Sequence, residues 1–237
     1  MTDRNRPRAS GLRRRASGFP SLAAAMKRCR KCGLPNGVSA VFGRYDSPRW
    51  MLVGQAPGKK EVALGRPFAG AAGRRLFQWL AEAGFEEQQF RSFCYVTAMM
   101  KCFPGSGERG DLKPSRQQVA NCSSWLEKEL ESVRPAVLIP VGQLAIERFL
   151  GKAKLDELIG RQFRRRIAGR EVRVIPLPHP SGASAWTNAP ENRKLIRRAT
   201  RLLARAASDG RDAATGRAQR REPTSPGPGR LRRSSSR

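Results

Sequence analysis

The sequence predicts an α/β fold in which a mostly parallel central sheet is covered by helices on both faces, with basic disordered tails at either end. Three observations carry this expectation. Short apolar runs alternate with helical stretches of 10–17 residues, the order expected of parallel strands joined by crossover helices. Each apolar run ends in a Gly- or Pro-containing loop. The ends of the chain are rich in Arg, Ser, Gly and Pro and too poor in apolar side chains to order themselves. With 237 residues, one domain plus tails fits the length. No apolar run reaches the roughly 18 residues of a membrane span, and ten Phe and four Trp are too many for a wholly disordered chain.

Arg49-Trp50-Met51-Leu52-Val53 is a buried strand that enters a tight loop at Gly54, Pro57 and Gly58. From Gly73 to Ala83, Leu76, Phe77, Leu80 and Ala83 recur at three and four, which predicts a helix stopped by Gly84. Phe93 to Thr97 is the second strand. A helix runs from Ser115 to Leu130, with Pro114 before it, Ser115 as N-cap and Gln118 as capping-box partner. Ala136 to Val141 is a third buried strand, followed by Gly142 and a helix through Phe149. Arg161–Ile167 and Glu171–Leu177 flank Ala168-Gly169 as a hairpin whose second arm joins the core. Asn192 to Ala206 closes the domain as a helix, apolar at Leu195, Ile196, Ala199, Leu202 and Leu203, and basic at Arg193, Arg197, Arg198, Arg201 and Arg205. The expected division is a basic disordered arm over 1–26, a folded domain over 27–207 and a basic disordered tail over 208–237.

The formal net charge is +28. Residues 1–28 carry a net +7, residues 193–237 a net +11, and the remaining middle a net +10. Such a balance points to a polyanionic partner, nucleic acid before an anionic membrane surface. The arms suit loose phosphate contact or solubility rather than specific chemistry. Arg164-Arg165-Arg166 reads as a solvated face.

In a parallel sheet the ligand sits beyond the carboxyl ends of the strands. Three segments meet there: Gly54-Gln55-Ala56-Pro57-Gly58, Thr97 to Cys102, and Pro178-His179-Pro180-Ser181-Gly182. The only histidine, His179, therefore stands beside a loop shaped by Gly and Pro. Cys29 and Cys32 form a C-x-x-C pair, Cys102 follows the second strand, and Cys122 lies on the inward face of the helix from Ser115. Four thiolates brought to one sheet edge could hold zinc or a [4Fe–4S] cluster, and spacing does not separate the two. Cys94, inside a strand, is a buried apolar side chain. An odd cysteine count and no export signal argue against a disulfide framework and for a cytoplasmic protein.

Taken together, Gly54-Gln55-Ala56-Pro57-Gly58-Lys59-Lys60-Glu61, Gly65-Arg66-Pro67-Phe68-Ala69-Gly70 with Gly73, Thr97-Ala98-Met99-Met100-Lys101-Cys102 and His179-Pro180-Ser181 resemble the iron–sulfur uracil-DNA glycosylases, families 4 and 5 of the uracil-DNA glycosylase superfamily. The resemblance spans about Lys27 to Leu203. It implies a three-layer α/β/α sandwich with a structural [4Fe–4S] cluster on Cys29, Cys32, Cys102 and Cys122. It also implies that Gln55 and His179 are catalytic: the Gln55 loop contacts the flipped base and holds the attacking water, and His179 hydrogen-bonds the departing base. Gly54, Ala56, Phe68 and Ala98 would form the base pocket, with Phe68 stacked on the base, and Pro180, Ser181 and Gly182 would meet DNA.

The chain departs from the family pattern in places. Family 4 has Glu where Gln55 stands, Asn where Ala98 stands, and Asp where Val62 follows Glu61. Gln55 cannot act as a base, and Ala98 lacks a contact to the Watson–Crick edge. The apolar residue at position 98 is closer to family 5, whose members act on duplex DNA and tolerate other deaminated bases. Trp186 and Asn188 are candidates for the wedge that fills the emptied base stack.

The expected activity is hydrolysis of the N-glycosidic bond of uracil, or of other deaminated bases, leaving an abasic site. Damaged, uracil-containing DNA is the expected partner, acted on by a monomer with no membrane partner. The alternative is an iron–sulfur protein that has lost turnover and recognises damaged or abasic DNA. A zinc-stabilised nucleic-acid-binding module is a third reading, separated from the other two by colour.

Overall fold

A computed structural model of the chain describes residues 10–219 except 36, 37, 109 and 183, with side chains within 18–209. The first element is a helix, α1 (Ser10–Lys27), followed after a long connection by strand β1 (Trp50–Gly54). Three helices, α2 (Lys59–Leu64), α3 (Ala71–Ala81) and α4 (Glu87–Phe93), precede strand β2 (Cys94–Ala98). A two-stranded ribbon of β3 (Ser106–Gly107) and β4 (Gly110–Asp111) leads into the long helix α5 (Arg116–Val133). Then come β5 (Val137–Pro140), α6 (Gln143–Leu150), α7 (Leu155–Leu158), β6 (Phe163–Ile167), β7 (Arg170–Val174), α8 (Ala185–Asn188) and α9 (Pro190–Gln219).

The main sheet has the order β2-β1-β5-β7-β6. β2, β1, β5 and β7 run parallel, and β6 returns antiparallel at the edge. Every residue of β1, β2 and β5 is buried, so both faces of the sheet are covered. On one face, Met51, Val53, Tyr95, Leu138 and Val172 pack with Phe19 of α1 and with Leu126, Leu130 and Val133 of α5. On the other, Trp50 meets Phe85, Phe90 and Phe93 edge-on, with ring centroids 5.3–6.3 Å apart. The result is the expected α/β/α layering.

The predicted strands and long helices stand where the periodicity put them. Ser115 caps α5, its hydroxyl accepting from the Gln118 N–H while the Gln118 side chain accepts from the Ser115 N–H. Ala168 and Gly169, at φ of 46° and 74°, form the tight turn of the β6–β7 hairpin, both residues left-handed as a type I′ turn requires.

The N-terminal arm is a correction. Residues 1–9 lie outside the described residues, but Ser10–Lys27 is helical rather than disordered. Phe19 and Met26 are almost fully buried. Phe19 stacks on Tyr45 with centroids 4.1 Å apart and meets Tyr95 edge-on at 5.2 Å. Phe19, Leu22, Ala23 and Met26 recur at helical spacing, and packing of that stripe overrides the Arg- and Ser-rich composition and Pro20. The C-terminal helix also runs further than expected, to Gln219, while 220–237 lie outside the described residues. By compactness the chain divides after Ala204, and the described part of the second unit is the end of α9.

Candidate active site

The order of the sheet reverses beside β1: the chain goes from β1 to β2 on one side and then to β5 on the other. Loops leaving the ends of β1 and β5 therefore diverge and open a crevice. Past the end of β1 the pairing with the β2 side continues, as the Met99 N–H donates to Gly54 O (2.9 Å) and the Met100 N–H to Gln55 O (3.1 Å). On the other side, the Gly142 N–H donates to Leu177 O at 2.9 Å, which brings the chain after β7 to the crevice and places His179 there.

A cavity of about 160 Å³ occupies this position, lined by Gly54, Gln55, Ala56, Phe68, Ala98 and His179. All six residues singled out in the sequence for catalysis or base binding thus meet in one place. Pro180, Ser181 and Gly182 lie outside its lining. Ser181 O there accepts from Arg75 Nη1 (3.0 Å), and Gly182 O from Asn188 Nδ2 (3.1 Å). A larger groove of about 540 Å³ runs along α1 and residues 39–47, with no histidine or cysteine in its walls.

Two close approaches shape the cavity. A Cβ at Gly54 would stand 2.8 Å from Cζ of Phe68, so the ring lies where only glycine leaves room. Gly142, at φ +86°, would bring a Cβ within 3.2 Å of the His179 side chain. Phe68 itself adopts a left-handed backbone (φ 53°), strain of the kind concentrated at functional sites. Arg91 Nη2 donates to its carbonyl at 3.2 Å. His179 is mostly buried, and burial first, then the nearby positive charge of Lys113, lowers its pKa. At neutral pH it is an uncharged imidazole with one N–H to donate.

Sequence reasoning missed three residues of this cavity's walls as structural parts. The Glu61 carboxylate joins two loops: Oε2 accepts from the Gly58 N–H (3.1 Å) and Oε1 from the Gly70 N–H (2.7 Å). It thereby ties the Gln55 loop to the Phe68 loop. Asp111 and Leu112 reach the cavity from the β3–β4 ribbon, and Asp111 Oδ2 accepts from the Lys59 N–H at 3.3 Å. No periodicity marks so short a ribbon. Only its glycines, Gly105, Gly107 and Gly110, hinted at a turn. Trp186 is held to the fold, its indole N–H donating to Asp156 Oδ1.

The four cysteines Cys29, Cys32, Cys102 and Cys122 line one second cavity. Burial, and then the neighbouring Cys122, Cys29 and Cys32, push the Cys102 thiol up to about 11. Donors are aimed at the sulfurs: Trp125 Nε1–H at Cys29 Sγ (3.2 Å) and the Lys101 N–H at Cys122 Sγ (3.4 Å). Lys31 and Lys128 each stand 5.2 Å from the Trp125 ring. Among the described residues, no three His, Cys, Asp or Glu side chains are gathered as a single metal ion would require. Cys94 is buried apart from this cavity, as expected of a small core residue.

Between the two cavities lies a buried polar network. Lys101 Nζ is 2.7 Å from Glu129 Oε2 and also donates to Ala98 O. Glu129 Oε1 accepts from the Tyr95 hydroxyl (2.7 Å) and the Thr97 hydroxyl (3.0 Å). These bonds fasten β2, and with it Ala98 of the first cavity, to α5, which carries Cys122.

Comparison with known proteins agrees with this geometry. The family described as the uracil DNA glycosylase superfamily matches residues 42–204. A type-4 uracil-DNA glycosylase of Archaeoglobus fulgidus is 30% identical over 162 residues, 65% of this chain and 76% of that protein. A type-4 enzyme of Pyrobaculum aerophilum is 31% identical over 167 residues, 68% of this chain and 81% of its own. A type-5 enzyme of the same organism is 31% identical over 179 residues, covering 68% and 72%. The match over most of the folded chain, on the sheet and cavity just described, makes this protein a member of the uracil DNA glycosylase superfamily.

Proposed function

We propose that the protein hydrolyses the N-glycosidic bond of uracil in DNA and leaves an abasic site. The observation that carries this reading is the meeting of Gln55, Phe68, Ala98 and His179 in one cavity at the carboxyl edge of the sheet. Breaking the bond builds positive charge on the sugar and negative charge on the leaving base, and an N–H fixed beside the base oxygen lowers that barrier. His179, uncharged and mostly buried, supplies such a donor. Gln55 orients the attacking water and donates to the base through its amide; having no proton-accepting carboxylate, it positions water rather than deprotonating it. Phe68 gives the extruded base an aromatic face. Gly54, Ala56 and Ala98 set the width of the slot, and the absence of an amide at Ala98 leaves room for deaminated bases other than uracil. Pro180, Ser181 and Gly182 meet the DNA backbone from outside the slot.

We read the thiol cavity as the site of a [4Fe–4S] cluster, on the chemistry of its four cysteines. Four cysteines line one cavity, and N–H donors and cationic side chains surround them, as suits an anionic cluster. Cys29, Cys32, Cys102 and Cys122 would hold it, where it cross-links the chain after α1 to β2 and α5. Its chemistry here is structural, since it stands apart from the base cavity. The proposed domain starts at α1 rather than at Lys27.

The test is a panel of uracil-, hypoxanthine- and xanthine-containing oligonucleotides, incubated with protein and heated in alkali to cut at abasic sites. Cleavage of the uracil strand supports the reading, and no cleavage on any substrate overturns it. The competing reading, a binder without turnover, is motivated by Gln55 and Ala98. It predicts salt-sensitive retention of damaged DNA without base release. Iron content and visible absorption separate the cluster from zinc.

A further inference from the structure

Phe68 is the strained member of the base cavity. Its φ of 53° lies in the left-handed region, a conformation that costs a bulky L residue energy its surroundings must supply. Two close approaches leave room for it. Its ring reaches the backbone of Gly54, and its carbonyl lies against the first turn of α3, where a Cβ at Gly73 would stand 1.9 Å from the oxygen and 2.3 Å from the carbon. One bond holds it: the same oxygen accepts from Arg91 Nη2 at 3.2 Å. Arg91 is itself fixed. Its Nε donates to Glu87 Oε1 at 2.9 Å, one turn earlier on α4, and its guanidinium carbon stands 4.4 Å from the centre of the Phe77 ring on α3. The side chain is only 15% exposed, so little water competes for the N–H turned toward Phe68.

We propose that Arg91 is a positioning residue for base release: by holding the Phe68 carbonyl it keeps the left-handed backbone that turns the aromatic ring into the slot beside Gly54. The role rests on the glycosylase reading. Arg91 lies outside the walls of the cavity, so its effect on the base passes through Phe68. Gly73 makes the room for the carbonyl, and the guanidinium supplies the bond. A guanidinium suits the task because its planar fork serves two acceptors at once, the Glu87 carboxylate through Nε and the Phe68 carbonyl through Nη2. Without that bond the peptide after Phe68 is free to turn, the strained φ relaxes, and the ring leaves the slot. α4 runs directly into β2, whose last residue is Ala98. One continuous segment, Glu87 to Ala98, thus places the stacking face through Arg91 and a second wall of the slot through Ala98.

The experiment is a double-mutant cycle on single-turnover uracil release, with Arg91→Met made in the wild type and in Phe68→Ala. Phe68→Ala alone should slow release by about tenfold or more. Arg91→Met should slow the wild type by about tenfold. In Phe68→Ala it should change the rate by no more than about twofold, because the ring it serves is gone. Arg91→Lys keeps the charge but has one nitrogen to share between Glu87 and Phe68. It should show the same dependence on background with a smaller loss, and it carries the test if the methionine variant does not fold. Equal losses in both backgrounds would make Arg91 a general prop of the fold, and no loss in the wild type would make its bond to Phe68 idle. Either result overturns the proposal while leaving the glycosylase reading intact, as would Phe68→Ala releasing uracil as fast as wild type. Failure of the wild type to release uracil would overturn that reading and the role of Arg91 with it.

Discussion

In the proposed reaction His179 is the residue on which most depends. Burial and the Lys113 charge hold its pKa below the ordinary value of 6.5, so the folded protein keeps it neutral under conditions in which the unfolded chain would begin to protonate it. Stability from this residue is therefore present above about pH 6.5 and is lost as pH falls from there toward the lowered value. Uracil release should be flat from about pH 8 to about pH 6.5 and decline only below; activity that rises as pH falls through 6.5 would mean a cationic donor. His179→Ala should lower single-turnover release by roughly 100-fold or more, with iron content unchanged. Gly142→Ala should also impair release, because the new methyl both strains a left-handed backbone and presses on the imidazole from 3.2 Å. The place of His179 at the cavity was legible in the sequence, since the lone histidine stands between prolines at a strand end. The service of Glu61 to two loops was not. Its partners Gly58 and Gly70 lie three residues before it and nine after, but only the folded turn between α2 and α3 aims both N–H groups at one carboxylate.

Among elements, the pairing of β2 with α5 has the largest consequence. Lys101 and Glu129 are buried side chains whose charges face each other. Lys101→Met leaves Glu129 with the Tyr95 and Thr97 hydroxyls but no opposite charge, and should cost about 3–5 kcal/mol in urea unfolding. Replacing both partners together, as Lys101→Met with Glu129→Leu, should cost less than the single change. In the sequence, Lys101 reads only as the neighbour of Cys102 and Glu129 as one of many charges on a helix. Burial of a charged pair between strand and helix is a tertiary fact with no local signature. The same limit applies to α1. Its apolar stripe sits inside an Arg-rich segment with nothing local to say what it packs against, and the partner, Tyr45 stacked on Phe19, is distant in sequence. Phe19→Ala should destabilise the protein by about 3–5 kcal/mol, a loss that a disordered arm would not show. By contrast, the strands and α5 were legible because their signals are local: continuous apolar runs for a sheet buried on both faces, and a capping box for the helix. Trp125→Phe, which removes the N–H aimed at Cys29 Sγ, should speed the loss of visible absorption in air without unfolding the protein.

For the whole molecule, the net charge of +28 is divided between two ends and a middle that holds +10. Phosphate attraction distributed in this way should make DNA binding fall steeply with salt, while the rate of release from saturating substrate changes little. On the proposed reading, recognition then belongs to a small cavity and specificity to its walls. The central claim is that this cavity releases uracil from DNA. The most direct measurement is free uracil, quantified after protein carrying its full complement of iron is mixed with a uracil-containing duplex, for wild type and His179→Ala side by side. The account predicts stoichiometric release with repeated turnover by wild type and near-complete loss in the variant. Tight binding of the duplex by iron-replete wild type with no free uracil would contradict it.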